Sequence, residues 1–170
     1  MIPKLNPCDA SSILKNGGTA IYPTEGIYGI GCDPFNSRSV ENIFKAKGRS
    51  KNKSFIILGS DIKYFHNIID KTYFMNESLQ SISFTTWIVP SNENCPLWLK
   101  KNDTVAIRLT KHETVMLLCE YMNAPIISTS ANLSNSQYDG DLKNIEKVFD
   151  DKIDCIVKGV LGNEKKPKTP

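Results

Sequence analysis

Two apolar rhythms alternate along this chain. Between Arg38 and Lys47 the inward-facing positions are Val40, Ile43, Phe44 and Lys47, the three-to-four spacing of one helix face; Asn36 or Ser37 can cap its start, and Gly48 ends it. Helical spacing also covers Ala10–Asn16, with Asp9 or Ser11 as cap and Gly17-Gly18 as stop, and it recurs over His112–Met122 and Leu142–Phe149. Asp61–Phe65 and Met75–Ile82 read as shorter helical pieces. Between these lie short β-branched runs that read as strands: Thr19–Tyr22, Phe55–Leu58, Thr85–Val89, Thr104–Leu109, Pro125–Thr129 and Asp154–Gly159. Such alternation predicts an α/β (or α+β) single domain, a twisted mixed sheet flanked by helices. No internal repeat is present, and only the lysine-rich end NEKKPKTP reads as loose.

Composition narrows the class. With 170 residues, 40% of them hydrophobic and 23% charged, the chain has enough apolar surface for one core without disulfide or metal staples. The five cysteines are odd in number, widely spaced and never paired as C-x-x-C. That pattern argues against a disulfide framework or zinc site and fits a reducing, cytoplasmic setting. The N-terminal MIPKLNPCDA has no apolar core region, and no apolar run approaches the ~20 residues of a membrane span. The expectation is a protein neither secreted nor membrane-inserted. A net charge of +3 permits anionic partners without demanding them.

Four stretches offer chemistry. Lys45, Lys47, Arg49, Lys51 and Lys53 place five cations in nine residues at a helix end and the loop beyond it. Cations there complement the helix dipole, and such loops are commonly just solvated. An arginine fork beside a mobile lysine, however, also suits a polyphosphate. Ser128-Thr129-Ser130-Ala131-Asn132 follows an apolar strand. It reads either as a self-bonded turn or as a pocket lining at the carboxyl end of a strand. Tyr22-Pro23-Thr24-Glu25-Gly26-Ile27-Tyr28-Gly29-Ile30-Gly31 is a glycine-rich connection with polar tips, matching neither a Rossmann fingerprint nor a P-loop. Arg108 stands alone in an apolar strand, as an edge residue or as a buried partner for a carboxylate. G-x-S-x-G is missing, and His66 and His112 read as surface or capping residues, so no Ser-His-acid hydrolase is indicated.

In order and approximate spacing, Ile21–Glu25, Tyr28–Pro34, Lys47-Gly48-Arg49, Thr104–Arg108 and Ser128–Ser134 resemble the YrdC/TsaC family of L-threonylcarbamoyladenylate synthases, over about residues 10–160. The resemblance implies a catalytic domain over 1–160, a lysine-rich tail over 161–170, and a large, concave, positively lined cavity. It implies formation of threonylcarbamoyl-AMP and pyrophosphate from L-threonine, bicarbonate and ATP, with Mg2+ accompanying ATP. The activated group then goes, through partner transferase proteins, to the adenosine beside the anticodon of tRNA.

By the same resemblance, Lys47, Arg49, Lys53, Thr104, Ser130 and Asn132 are expected at ATP, with Lys47 and Arg49 stabilising charge. Thr24, Tyr28, Arg108 and Ser128 are expected at threonine. No protein nucleophile is needed when a carbamate attacks a phosphate, which fits the missing triad. Arg49–Lys53 is expected to form a mobile edge of the pocket. The chain departs from the family where Ser81-Ile82-Ser83-Phe84 replaces a Trp-Pro-Gly-Pro-like stretch, at Lys53, and at its short C-terminal end. A non-catalytic RNA-binding module of the same fold, holding tRNA by its phosphates, is a second class open to this sequence, and a carbamoyl-phosphate-using relative a third.

Overall fold

The computed structural model describes residues 1–73 and 84–164. The expected helix over Met75–Ile82 lies outside them. Eight strands form one sheet: β1 (Lys4–Leu5), β2 (Thr19–Pro23), β3 (Tyr28–Cys32), β4 (Ile56–Gly59), β5 (Trp87–Pro90), β6 (Thr104–Leu109), β7 (Ile126–Ser130) and β8 (Cys155–Val157). Their order is β1-β8-β2-β3-β7-β4-β6-β5. The sheet is mixed: β8 runs parallel to β1 and β2, β4 runs parallel to β6, and the remaining neighbours are antiparallel.

Helices α1 (Pro7–Lys15), α2 (Ser37–Lys47), α3 (Glu113–Met122) and α4 (Leu142–Phe149) cover both faces. Along each strand, neighbouring residues point to opposite faces. Ile21, Ile57, Ile127 and Ile156 join a core with Ile43 and Phe44 of α2 and Phe149 of α4. Tyr22, Leu58, Ile126 and Val157 join a second core with Leu14 of α1 and Leu118 of α3. Each fully buried Leu or Ile contributes about 1.5–3 kcal/mol by leaving water.

The element ends follow local chemistry. Helix α2 is capped by the Asn36 carboxamide, which accepts from the Ser39 amide, and stops at Gly48 in the left-handed conformation (φ 57°). Helix α1 begins earlier than its apolar spacing predicts. Pro7 takes the first turn, where its missing N–H costs nothing, and Asn6 rather than Asp9 or Ser11 is the cap. Asp61–Phe65 folds as a 3-10 turn over Ile62–Phe65.

The larger difference is β3. Its Tyr-Gly-Ile-Gly-Cys sequence reads as a glycine-rich connection, yet it is a central strand. A Cβ on Gly31 would lie 1.9 Å from the Ile127 carbonyl oxygen. The missing side chain lets the Tyr22 hydroxyl reach across and donate to that oxygen at 2.7 Å. Glycine here serves strand packing, not a turn.

Candidate functional site

Strand β7 lies at the centre of the sheet, antiparallel to both β3 and β4. Its Ile126 sits in the core under α1 and α3; two and four residues on, the same face carries Ser128 and Ser130. Ile56 of β4 is opposite Ser128, and Arg108 of β6 is opposite Leu58. The sheet face that is apolar under the helices thus turns polar beyond them. A cavity of about 330 Å³ opens there, lined chiefly by Thr24, Arg49, Ser54, Phe84, Arg108 and Ser128–Ser130. Ligand sites in open sheets favour such positions, where neighbouring connections diverge.

Both arginines are held with donors left over. Arg108 is 7% exposed, and its Nε and Nη2 donate to the Thr86 hydroxyl at 3.0 and 2.8 Å. Nη1 is left without a protein acceptor among these contacts. Arg49 donates through Nη2 to the Ser54 carbonyl at 2.7 Å, stacks 5.1 Å from the Phe55 ring centre, and keeps a buried Nε with no partner. Burial lowers the pKa of both guanidinium groups, which nevertheless stay charged. Partly desolvated cations with spare donors are suited to anionic ligands.

The other expected residues are distributed as follows. Thr24, Ser128 and Ser130 line the cavity; Thr24 donates its hydroxyl proton to the Ile27 carbonyl at 2.7 Å. Ser130 donates to the Asn132 side-chain oxygen at 2.6 Å, and Asn132 Nδ2 donates to the Ser136 carbonyl at 2.6 Å, which shapes the loop after β7. Lys47 is behind the wall, 2% exposed, with its ammonium donating to the carbonyls of Ser130 and Asn132. Burial, then the Arg49 charge, push its pKa down to about 8. Tyr28 is not among the cavity-lining residues; its amide donates to the Tyr138 hydroxyl at 2.8 Å. Lys53 is exposed on the loop after α2. Thr104 stands at the far end of β6, donating to the Lys101 carbonyl at 2.7 Å, outside the cavity wall.

Several wall residues were not singled out from sequence. Ser54, Ile56 and Phe84 join the cavity through tertiary placement. The end of the described chain also contributes. The Gly162 and Glu164 amides donate to the Thr24 and Glu25 carbonyls at 2.9 and 2.8 Å, and His112 Nε2 donates to the Val160 carbonyl at 2.9 Å. Gly26 admits this close pass, since a Cβ there would lie 1.9 Å from the Glu164 carbonyl oxygen. The weak sequence signal for it was the glycine between Glu25 and Ile27. Beneath, Thr110 donates to Glu25 Oε1 at 2.6 Å, while Glu25 Oε2 is buried and unpartnered.

Among the described residues, no group of three or more His, Cys, Asp or Glu is placed to hold a metal ion, and no helix is long and apolar enough to cross a membrane. All five cysteines are free thiols.

Comparison with known proteins follows the same outline. The family model Sua5/YciO/YrdC, described as telomere recombination, matches residues 12–169. A threonylcarbamoyl-AMP synthase of Coxiella burnetii (strain RSA 493 / Nine Mile phase I) is 36% identical over 165 residues, covering 94% of this chain and 88% of that protein. The crystal structure of Pyrococcus abyssi Sua5 complexed with L-threonine superposes with a TM-score of 0.85 at 26% identity over 95% of this chain, which spans about half (51%) of that longer one. Escherichia coli YciO, at 20% identity and a TM-score of 0.81 over 99% of this chain and 88% of its own, shares the fold. With the family model matching most of the chain and a 36% identical relative covering nearly all of it, the chain belongs to the Sua5/YciO/YrdC family.

Proposed function

We propose that this chain is a threonylcarbamoyl-AMP synthase, joining L-threonine, bicarbonate and ATP into threonylcarbamoyl-AMP, pyrophosphate and water. The observation that carries the reading is one cavity lined by two arginines, the buried Arg108 and the half-buried Arg49 with its unpartnered Nε, beside the hydroxyls of Thr24, Ser128 and Ser130. It is supported by 36% identity to a synthase over nearly the whole chain.

Threonine is zwitterionic and ATP is polyanionic, so the two substrates need separate cationic anchors. Arg108 is assigned to the threonine carboxylate, with Thr24, Ser128 and Tyr28 around the amino acid. Arg49 is assigned to the phosphates, with Lys47, Lys53, Ser130 and Asn132 toward the nucleotide. Thr104 belongs to the strand that carries Arg108, and its part in ATP binding is the most remote of the set. The amine of threonine captures bicarbonate as a carbamate with loss of water; a carbamate oxygen then attacks the α-phosphate and pyrophosphate leaves. Charge accumulates on phosphate oxygens during this displacement, and fixed guanidinium donors stabilise it without a protein nucleophile. Lys47, tied to the carbonyls of Ser130 and Asn132, holds the loop after β7 against the end of α2 and adds positive potential.

Mg2+ is assigned to the triphosphate, as the substrate's own counter-ion. The carbamate and the mixed anhydride both hydrolyse, so a sheltered pocket edged by the loop Arg49–Lys53 fits the chemistry. Residues 1–160 form most of the catalytic unit, and the start of the tail, expected to be loose, packs Gly162 and Glu164 beside Thr24 and Glu25, with Glu164 in the cavity wall. The product would pass, in the cytoplasm, to transferases that modify the tRNA adenosine beside the anticodon.

Pyrophosphate release tests the reading. It is expected only with threonine, bicarbonate and ATP all present; release independent of threonine, or none at all, contradicts it.

A further inference from the structure

Among the described residues lining the cavity, Phe84 is the one aromatic side chain, and it has a backbone φ of 57°. A bulky residue seldom adopts that left-handed conformation, so the fold holds it there against local preference. Its ring lies over Arg108, 5.2 Å from Cζ to the ring centre. Two residues on, Thr86 accepts from Nε and Nη2 of the same guanidinium. The segment therefore sets an aromatic ring beside Arg108 and fixes one edge of the guanidinium, leaving Nη1 and the second Nη2 proton as the donors an anion can use.

Resting on the assignment of Arg108 to the amino-acid carboxylate, we infer that Phe84 positions Arg108 and sets the size of amino acid the cavity accepts. Two physical effects combine. A ring beside a guanidinium that is only 7% exposed helps to exclude water from it, so its bonds to a carboxylate act in a lower dielectric. With the carboxylate so held, the ring occupies cavity volume that a longer side chain would need. Threonine's β-methyl and β-hydroxyl are compact; isoleucine places an ethyl group where threonine carries its hydroxyl and meets the wall.

The test compares Phe84→Ala, Phe84→Gly and Phe84→Tyr with the unmodified chain, measuring pyrophosphate release with threonine or isoleucine at varied ATP. Alanine and glycine at this position are expected to raise the threonine KM about fivefold while the ATP KM stays within about twofold. They are also expected to raise the isoleucine-to-threonine ratio of kcat/KM about tenfold. Phe84→Tyr should retain the original values. Glycine adopts φ 57° without strain, so Phe84→Gly stays folded even where Phe84→Ala does not. Variants with a lowered Tm but unchanged threonine KM and amino-acid ratio would overturn the inference, as would equal effects on both substrates. If the unmodified chain releases no pyrophosphate with threonine, the proposed function fails and this inference with it; if it does and the variants match it, the inference alone fails.

Discussion

Arg49 and Arg108 share a cavity, yet their surroundings prepare them for different partners. Arg108 is clamped on Thr86 in the proposed amino-acid subsite, whereas Arg49 follows helix α2 and keeps a buried, unpartnered Nε. Losing a charge-assisted bond to a ligand is worth about 1.5–3 kcal/mol, or about 10–100-fold in affinity. Arg108→Ala should therefore raise the threonine KM at least about tenfold with a smaller effect on ATP, and Arg49→Ala should do the reverse. Steady-state kinetics with each substrate varied in turn checks this; the opposite ranking would mean that the subsites are exchanged.

Lys47 allows a test by pH. Its pKa in the folded chain, about 8, lies below the ordinary lysine value of about 10.4. Between those values the unfolded chain binds a proton that the folded chain has released, so this group's destabilising effect fades as pH rises. Relative to Lys47→Met, the unmodified protein should gain Tm from pH 8 to 10; a constant difference would contradict the assignment. At this scale the sequence made the cations visible and placed Lys47 on the apolar face of its helix. It did not show the carbonyls of Ser130 and Asn132, which lie more than eighty positions away and meet Lys47 only through β7.

Elements with a clear period were readable. Helix α2, with Asn36 and Gly48 at its ends, and helix α4, over Leu142–Phe149, follow their apolar spacing and caps. Strands β4, β6 and β7 follow their β-branched runs. Strand β3 was not readable, because glycine lowers strand propensity and the reason for Gly31 lies across the sheet in Tyr22 and Ile127. Gly31→Ala should force β3 away from β7 and cost about 2 kcal/mol or more. Denaturant unfolding would measure it, and a loss below about 0.5 kcal/mol would mean that the sheet relaxes freely around the new methyl group. The two-residue β1 carries too little pattern to be predicted and exists by pairing with β8.

Over the whole molecule, the strand order brings together segments far apart in sequence. Thr24 at the end of β2, Arg49 after α2, Arg108 on β6 and Ser128 on β7 converge because β7 inserts between β3 and β4. The motifs could be read one by one, and the family pattern ordered them. Their meeting in one cavity, with Phe84 over Arg108 and residues 162–164 against the Thr24–Glu25 backbone, required the sheet. The modest net charge of +3 gains meaning from this placement, since two of the cations line the cavity proposed for anionic substrates. The most direct measurement follows carbon-labelled bicarbonate incubated with the protein, threonine and ATP. The account predicts label in an adenylate whose formation needs all three substrates and is matched by pyrophosphate; ATP cleavage with no bicarbonate carbon in the adenylate would contradict it.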